Sequence, residues 1–146
     1  MRTETGTLTS LFFIDDDLED LQIFRQIVNS LGRSVEVFRL PDDMLRAMDN
    51  PPPAPSIIFL DLNMPGKSGY VLLEELRKSP AFENLPIVIY STADNAVVAE
   101  KCRKLGASLY VSKPTSVKET VKALEYVLSI DWDNFVTNEH NFRYKG

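Results

Sequence analysis

Acidic residues lie at the ends of two short apolar segments of the chain. Asp15 and Asp16 directly follow the segment Thr9–Ile14, and Asp61 lies near the end of the segment Ser56–Leu62. Three carboxylates placed together repel one another, and burying them unpaired is costly. A divalent cation would relieve that repulsion. Carboxylate and carbonyl oxygens with retained water are ligands that suit Mg²⁺ or Mn²⁺.

Two further strand-like segments end in residues that can bind a phosphoryl group. Ser91 and Thr92 follow the segment Pro86–Tyr90, and Lys113 follows the segment Ser108–Ser112. A hydroxyl and an ammonium beside carboxylates and a hard cation suit phosphoryl chemistry, in which the protein mainly positions groups and neutralises charge. A strand-end aspartate can act as the nucleophile there and form an acyl phosphate.

Each of these residues has a simpler explanation when it is taken alone. Acidic triplets such as residues 15–17 commonly cap a helix N-terminus, and Asp61 could form an Asx turn. Ser91 could be a neighbour of a helix cap, and Lys113 could be a surface lysine before a turn. Their joint occurrence at the ends of four separate strands favours one shared site.

The alternation of strand-like and helix-like patterns predicts an α/β fold. Five short apolar strands alternate with five amphipathic segments, as is typical of a parallel sheet covered by helices on both faces. Ligands of such sheets bind beyond the carboxyl ends of the strands, where the polar groups listed above would meet. The helical core and capping residues that we predict are Val71, Leu72, Leu76, Asp94, Ser116 and Glu119.

Composition narrows the class of protein. The chain has 146 residues, the length of one domain, and a net charge of −5, which argues against nucleic acid or an anionic membrane as the main partner. A single cysteine, Cys102, excludes an internal disulfide and a multi-cysteine metal site, and a reducing cytoplasm is the simplest location. Four prolines within residues 50–55 predict a stiff surface loop.

The sequence resembles the receiver domain of bacterial two-component response regulators over about residues 10–130. The motifs FFIDDD, IIFLDLNMPGKSGYVLLEELR, LPIVIYSTAD and GASLYVSKP follow the family's order, and Asp61 precedes Ser91 by 30 residues and Lys113 by 52, as is typical there. The resemblance implies a flavodoxin-like fold, a doubly wound sheet of five parallel strands in the order 2-1-3-4-5. It divides the chain into an N-terminal tail (1–9), a receiver domain (10–130) and a C-terminal tail (131–146).

The resemblance also implies how the acidic residues are used. Asp61 matches the phosphoacceptor of the family. Asp15 and Asp16 match the acidic pair that holds Mg²⁺, for which Mn²⁺ can substitute, with Asp61 and the backbone carbonyl of Asn63 as further ligands.

Other matching positions imply a phosphoryl-responsive switch. Ser91, with Thr92 beside it, matches the hydroxyl position, and Lys113 would pair with the phosphoryl oxygens. Tyr110 matches the switch aromatic, which can rotate into the space left when Ser91 moves inward. The bond before Pro114 is expected to be cis, as in relatives.

Two positions are expected to tune dephosphorylation. In the family, the side chains two residues after the acceptor and two after the hydroxyl residue flank the path of the attacking water. These are Asn63, which can orient a water, and Ala93, which cannot.

By resemblance, the phosphoryl donor is a histidine kinase or a histidine phosphotransfer protein. The chain is expected to be a signalling switch and not a turnover enzyme, acting on a downstream protein through the face formed by the fourth helix, fifth strand and fifth helix. No output domain is evident, so a single-domain regulator and a phosphorelay intermediate both stay open. We expect no nucleic-acid or membrane partner.

Two rival interpretations and one open question accompany this prediction. A haloacid-dehalogenase-like phosphatase would use Asp15 and Asp17 as a D-x-D motif with Ser91 and Lys113, but it leaves Asp61 unexplained. A flavodoxin-like cofactor binder would need a phosphate-cradling loop where three aspartates stand. The open question is the tail, whose aromatic residues either pack onto the domain or engage a partner: Trp132, Phe135, Phe142 and Tyr144.

Overall fold

Five parallel strands form one sheet that carries helices on both faces. The computed structural model describes residues 9–48, 56–64 and 68–145. The strands are β1 (Ser10–Ile14), β2 (Val35–Phe38), β3 (Ser56–Leu60), β4 (Ile87–Ser91) and β5 (Leu109–Ser112), and the helices are α1 (Leu18–Ser30), α2 (Pro41–Ala47), α3 (Gly69–Lys78), α4 (Ala96–Lys104) and α5 (Val117–Ser129). The strand order is β2-β1-β3-β4-β5, which confirms the predicted topology.

The near-continuous apolar strands are explained by a sheet that is buried on both sides. In β1, Leu11 and Phe13 face the core layer formed with α1 and α5. Phe12 and Ile14 face the opposite layer, formed with α2, α3 and α4. Successive side chains of a strand point to opposite faces, so a strand covered on both sides needs apolar residues at every position.

Strand pairing brings the functional residues to one edge of the sheet. Ile14 pairs with Leu60, so Asp15 and Asp61 leave adjacent strands side by side. Ser91 pairs with Ser112, which places Lys113 one residue beyond the same edge. The carboxyl ends of four strands therefore converge as the sequence predicted.

Helix caps and faces agree with the sequence in part. Ser116 caps α5 by accepting from the backbone N–H of Glu119, as predicted. The predicted cap of α4 was wrong: Asn95 accepts from Val98 N–H, and Asp94 instead pairs with a residue of the C-terminal tail.

The core face of α3 was also partly misassigned. Leu72 and Leu76 are buried as predicted, but Val71 is 45% exposed and Leu73 takes its place in the core. Three consecutive apolar residues leave the orientation of this short helix open, since each step turns the side chain by about 100°. Packing against the sheet selects Leu72 and Leu73.

Residues 131–145, the described part of the C-terminal tail, pack onto the domain without forming a helix. Phe142 is buried in the core layer of α2 to α4. Trp132, Phe135 and Tyr144 pack against the layer of α1 and α5. All four aromatics of the tail thus contribute to the packing of the domain itself.

Several sequence predictions fall on segments outside the described residues. These are most of the N-terminal tail, the proline-rich loop at 50–55 and positions 65–67 of the loop after Asp61. In the part of the chain that is described, none of the helices has the length and apolar character needed to cross a bilayer.

Gly69 allows α3 to begin directly beneath the end of β3. A Cβ at this position would lie 2.4 Å from the carbonyl oxygen of Asp61 and 2.6 Å from Cα of Leu62. We expect Gly69→Ala to lower the free energy of unfolding by about 1–3 kcal/mol, because backbone must move to admit the methyl group. Urea unfolding measures the loss, and NMR amide shifts of Asp61 and Leu62 should change with it.

Gly32→Ala is the matched control for this substitution. Gly32 has a φ of +76° and open space around it, so alanine there costs about 1–2 kcal/mol of local strain. The amide shifts of Asp61 should stay as in the wild type. Unchanged Asp61 and Leu62 shifts in Gly69→Ala would contradict the proposed close contact.

Candidate functional site

Three carboxylates meet at the carboxyl edge of the sheet. Asp15, Asp16 and Asp61 each offer an oxygen, and these oxygens all lie within 4.8 Å of one another. Asp15 and Asp61 are buried, whereas Asp16 is half-buried and forms the open side of the cluster. The sequence prediction that these residues meet is confirmed in the geometry.

Lys113 supplies positive charge to the cluster from the neighbouring end of β5. Its Nζ lies 2.6 Å from Asp15 and 3.7 Å from Asp61. A third carboxylate, Asp20, lies 2.8 Å from the same nitrogen. Sequence reasoning missed Asp20. Its contact with Lys113 joins residues 93 positions apart in the chain, so no local sequence pattern pointed to it.

Electrostatics show that the cluster lacks positive charge. Burial and the neighbouring charge of Asp15 raise the pKa of Asp61 to about 7, although Lys113 opposes the shift. Burial also raises the pKa of Asp15. Burial lowers the pKa of Lys113, but its hydrogen bonds to Asp15 and Asp20 outweigh this and raise it above its ordinary value. One ammonium therefore does not balance the buried carboxylates.

The donor set fits a hard divalent cation. Every group of the cluster is an oxygen donor, and its repulsion is the condition that a cation relieves. The oxygens of Asp15, Asp16 and Asp61 would hold Mg²⁺ or Mn²⁺, with water completing the coordination shell.

Ser91 and Tyr110 both contact the loop that follows β4. Ser91 is fully buried, and its Oγ accepts a hydrogen bond from the backbone N–H of Ala93 at 3.3 Å. The hydroxyl of Tyr110 donates to the carbonyl of Ala93 at 2.6 Å. Burial raises the pKa of Tyr110 to about 12, so this hydroxyl stays a donor at neutral pH. Tyr110 is 1% exposed, and its role as the switch residue stays a prediction.

The remaining predicted residues lie at the rim of the site. The side chain of Asn63 is exposed, while its backbone contributes a hydrogen bond that lowers the pKa of Asp61. Thr92 is exposed on the loop, and Pro114 is half-buried beside Lys113. The metal-ligand role of the Asn63 carbonyl, the phosphoryl contact of Thr92 and the cis bond before Pro114 stay predictions.

The acidic triplet divides between two roles. Asp17 does not join the cluster: its carboxylate accepts from the backbone N–H groups of Glu19 and Asp20 and caps α1. The simple capping explanation thus holds for Asp17, whereas Asp15 and Asp16 belong to the site.

The arrangement provides the elements of phosphoryl transfer to a carboxylate. Asp61 directly follows β3, the middle strand of the sheet, and the ammonium of Lys113 lies 2.6 Å from Asp15 and 3.7 Å from Asp61. An incoming phosphoryl group at Asp61 would meet the Lys113 ammonium, and a divalent cation held by the acidic residues would supply further positive charge. Such charges stabilise the oxygens of a transferring phosphoryl group.

Comparison with known proteins agrees with this geometry. Residues 11–125 match the family described as response regulator receiver domain. The response regulator Rcp1 of Synechocystis sp. is 25% identical over 94% of this chain and 97% of its own length. Other relatives are longer: the chain spans 53% of the Arabidopsis thaliana two-component response regulator ARR3.

Solved structures share the fold at low sequence identity. The chemotaxis response regulator CheY4 of Vibrio cholerae has a TM-score of 0.71 at 20% identity, covering 83% of this chain and 99% of that one. The Mn²⁺-bound form of response regulator Rcp1 has a TM-score of 0.70 at 21% identity, covering 88% and 97% of the two chains. These likenesses confirm the doubly wound fold.

The raised pKa of Asp61 predicts a pH-dependent stability in buffer free of divalent cations. The folded state binds the Asp61 proton more tightly than the unfolded state. Ionising Asp61 therefore destabilises the folded state, with the full penalty present above about pH 7 and none below about pH 4. Asp61→Asn should therefore be more stable than the wild type by about 2–4 kcal/mol at pH 8. Urea unfolding between pH 5 and pH 8 should show this difference shrink as the pH falls.

Asp133→Asn is the control, because Asp133 is an exposed aspartate of the tail. It should change the unfolding free energy little at any of these pH values. A pH-independent difference between Asp61→Asn and the wild type would contradict the electrostatic account of the cluster.

Proposed function

Because the chain belongs to the response regulator receiver domain family, we propose that it is a phosphorylatable signalling switch whose acceptor is Asp61. The observation that carries the proposal is the buried carboxylate of Asp61 at the end of the central strand, 3.7 Å from Lys113 and within the three-carboxylate cluster. Asp15 and Asp16 would hold Mg²⁺ with Asp61, and Asn63 would add its backbone carbonyl.

The chemistry that we propose is the transfer of a phosphoryl group from a phosphohistidine. An oxygen of Asp61 attacks phosphorus, the N–P bond of the donor breaks, and its electron pair returns to the imidazole as the acyl phosphate forms. Lys113 neutralises a phosphoryl oxygen, and Mg²⁺ supplies further positive charge when bound. The donor would be a histidine kinase or a histidine phosphotransfer protein.

The phosphorylated state would differ from the resting state through Ser91 and Lys113. The new dianion at Asp61 attracts the Ser91 hydroxyl and the Lys113 ammonium, which changes the loop after β4 and the packing around Tyr110. A change in populations between two packings then alters the face formed by α4, β5 and α5. A downstream protein would bind that face in the cytoplasm.

The rival phosphatase interpretation loses its main support in the structure. Its D-x-D motif would require Asp15 and Asp17 in one site, but Asp17 is occupied as the cap of α1. Asp61, which that interpretation leaves unexplained, lies in the cluster. The geometry thus favours an acceptor at Asp61.

Incubation with Mg²⁺ and acetyl phosphate, followed by mapping of the modified residue by mass spectrometry, tests the proposal. We expect the wild type to gain one phosphoryl group on Asp61, and Asp61→Asn to gain none, since the amide lacks the nucleophilic charge.

Asp16→Ala should lose Mg²⁺-dependent uptake and bind Mg²⁺ more weakly in isothermal titration. Asp17→Asn is the control and should be phosphorylated normally, because Asp17 lies outside the cluster. Normal uptake by Asp61→Asn would refute the acceptor assignment, and unchanged Mg²⁺ affinity in Asp16→Ala would refute the metal assignment.

Ala93, a half-buried residue two positions after Ser91, predicts a long-lived acyl phosphate. Hydrolysis needs a water positioned for in-line attack, and the methyl group of Ala93 can neither orient that water nor carry charge. We expect Ala93→Gln and Ala93→Glu to speed acyl phosphate decay, measured by loss of label after removal of the donor. Asn63→Ala should slow decay, since Asn63 is the polar residue at the other tuning position. Equal decay rates in the wild type and both Ala93 variants would show that Ala93 does not limit hydrolysis.

A further inference from the structure

A short segment of the C-terminal tail, Phe142–Tyr144, lies along the outer edge of β5. We refer to this segment as the C-terminal strap. The backbone N–H of Tyr110 donates to the carbonyl of Phe142 at 2.8 Å, and the N–H of Tyr144 donates to the carbonyl of Tyr110 at 2.9 Å. Arg143 therefore pairs with Tyr110 in a parallel bridge. The strap occupies hydrogen-bonding groups that an outer strand would otherwise present to solvent.

Further contacts hold the tail against both sides of this edge. Phe142 is 2% exposed, and its ring lies 6.2 Å from that of Tyr110. The ring of Tyr144 lies 5.1 Å from that of Tyr126 on α5. Earlier in the tail, the Thr137 hydroxyl donates to the carbonyl of Ser108, just before β5. The strap is thus a packed part of the domain.

In this pairing with β5, the strap acts on two consecutive residues of the loop after β4, one through Tyr110 and one directly. Phe142 packs on Tyr110, whose hydroxyl donates to the carbonyl of Ala93. Arg143 forms an ion pair of 2.9 Å with Asp94. One contact acts through the core and the other at the surface, so the loop is held at two adjacent points.

The held loop in turn fixes the hydroxyl of Ser91. The N–H of Ala93 donates to Ser91 Oγ, which restricts the rotation of that side chain. A displaced Ala93 would release Ser91 from this arrangement. The position of Ser91 therefore depends on contacts that begin in the tail.

We propose that Phe142 and Arg143 are positioning residues for phosphoryl acceptance. The strap holds Tyr110 and the Ala93–Asp94 loop in place, which limits the reorganisation that Ser91 needs to reach a phosphoryl group on Asp61. This inference rests on the proposed function of Asp61, which it deepens by assigning a role to the tail. Preorganised donors bind a charged group more tightly than donors that must first reorganise.

A purely structural role for the strap would have a different signature. Mg²⁺ binding depends on the carboxylates of Asp15, Asp16 and Asp61, none of which contacts the strap among the interactions described. Loss of positioning should weaken binding of a phosphoryl mimic and spare Mg²⁺ binding. General destabilisation should instead lower the melting temperature and weaken both.

The experiment measures two affinities in the full-length chain: that for Mg²⁺ alone, and that for trifluoroberyllate in saturating Mg²⁺. In Arg143→Ala we expect trifluoroberyllate to bind about two- to fivefold more weakly, the range expected for one partly exposed ion pair. Arg143→Lys should recover part of the loss. Asp94→Asn should weaken binding similarly, and combining it with Arg143→Ala should add little. Phe142→Ala should give the largest loss of trifluoroberyllate affinity. If the Phe142→Ala protein folds poorly, the Arg143 and Asp94 variants still test the inference.

Arg46→Ala is the control, because Arg46 forms an ion pair with Asp43 within α2, away from the strap. Its trifluoroberyllate affinity should equal that of the wild type. Wild-type affinity in Arg143→Ala and Asp94→Asn would overturn the inference, as would tighter binding or a parallel loss of Mg²⁺ affinity and melting temperature. If the wild type itself takes up no phosphoryl group on Asp61, the proposed function fails and this inference falls with it. Failure of the inference alone leaves wild-type uptake intact.

Discussion

The repulsion between two buried carboxylates, Asp15 and Asp61, is the constraint on which the site depends. They end adjacent parallel strands, so the pairing that builds the sheet also forces their negative charges together. Lys113 reaches both from β5, yet the pKa of Asp61 stays raised to about 7 because burial and Asp15 outweigh one ammonium. A site in this state has affinity for added positive charge. Two apolar core layers, one on each face of the sheet, supply the stability that tolerates the unfavourable interaction.

The same edge of the sheet connects Asp61 to the outer edge strand β5. Ser91 lies one strand away from Asp61, and the loop that follows it is contacted by Tyr110 from β5. Tyr110 is also the residue on which the C-terminal tail is paired. A disturbance at Asp61 can therefore reach the outer edge of the sheet through one loop and one aromatic ring. Coupling through such a packed chain of contacts requires two arrangements that differ in energy by only a few kcal/mol.

The sequence allowed the strands and their terminal polar residues to be predicted, but not the helix cap of α4 or the role of Asp20. The strands and their terminal polar residues were predictable, because burial on both faces demands continuous apolar runs that stop where the chain reaches the site. The cap of α4 was not: Asp94 and Asn95 are adjacent and both suit the role, and Asp94 is diverted by Arg143, 49 residues later. Asp20 was missed for the same reason, since its partner Lys113 is 93 residues away.

The sequence by itself determined the fold class and the members of the acidic cluster, because these follow from local periodicity and from residues at strand ends. The strand order was predicted only through the resemblance to receiver domains. Only the tertiary structure decided which of three acidic neighbours caps α1, which face of α3 is buried, and that the aromatic tail packs beside β5. Those outcomes depend on helix orientation and on contacts between segments far apart in the chain. Such contacts are selected by packing and charge in three dimensions, for which local sequence patterns carry no signal.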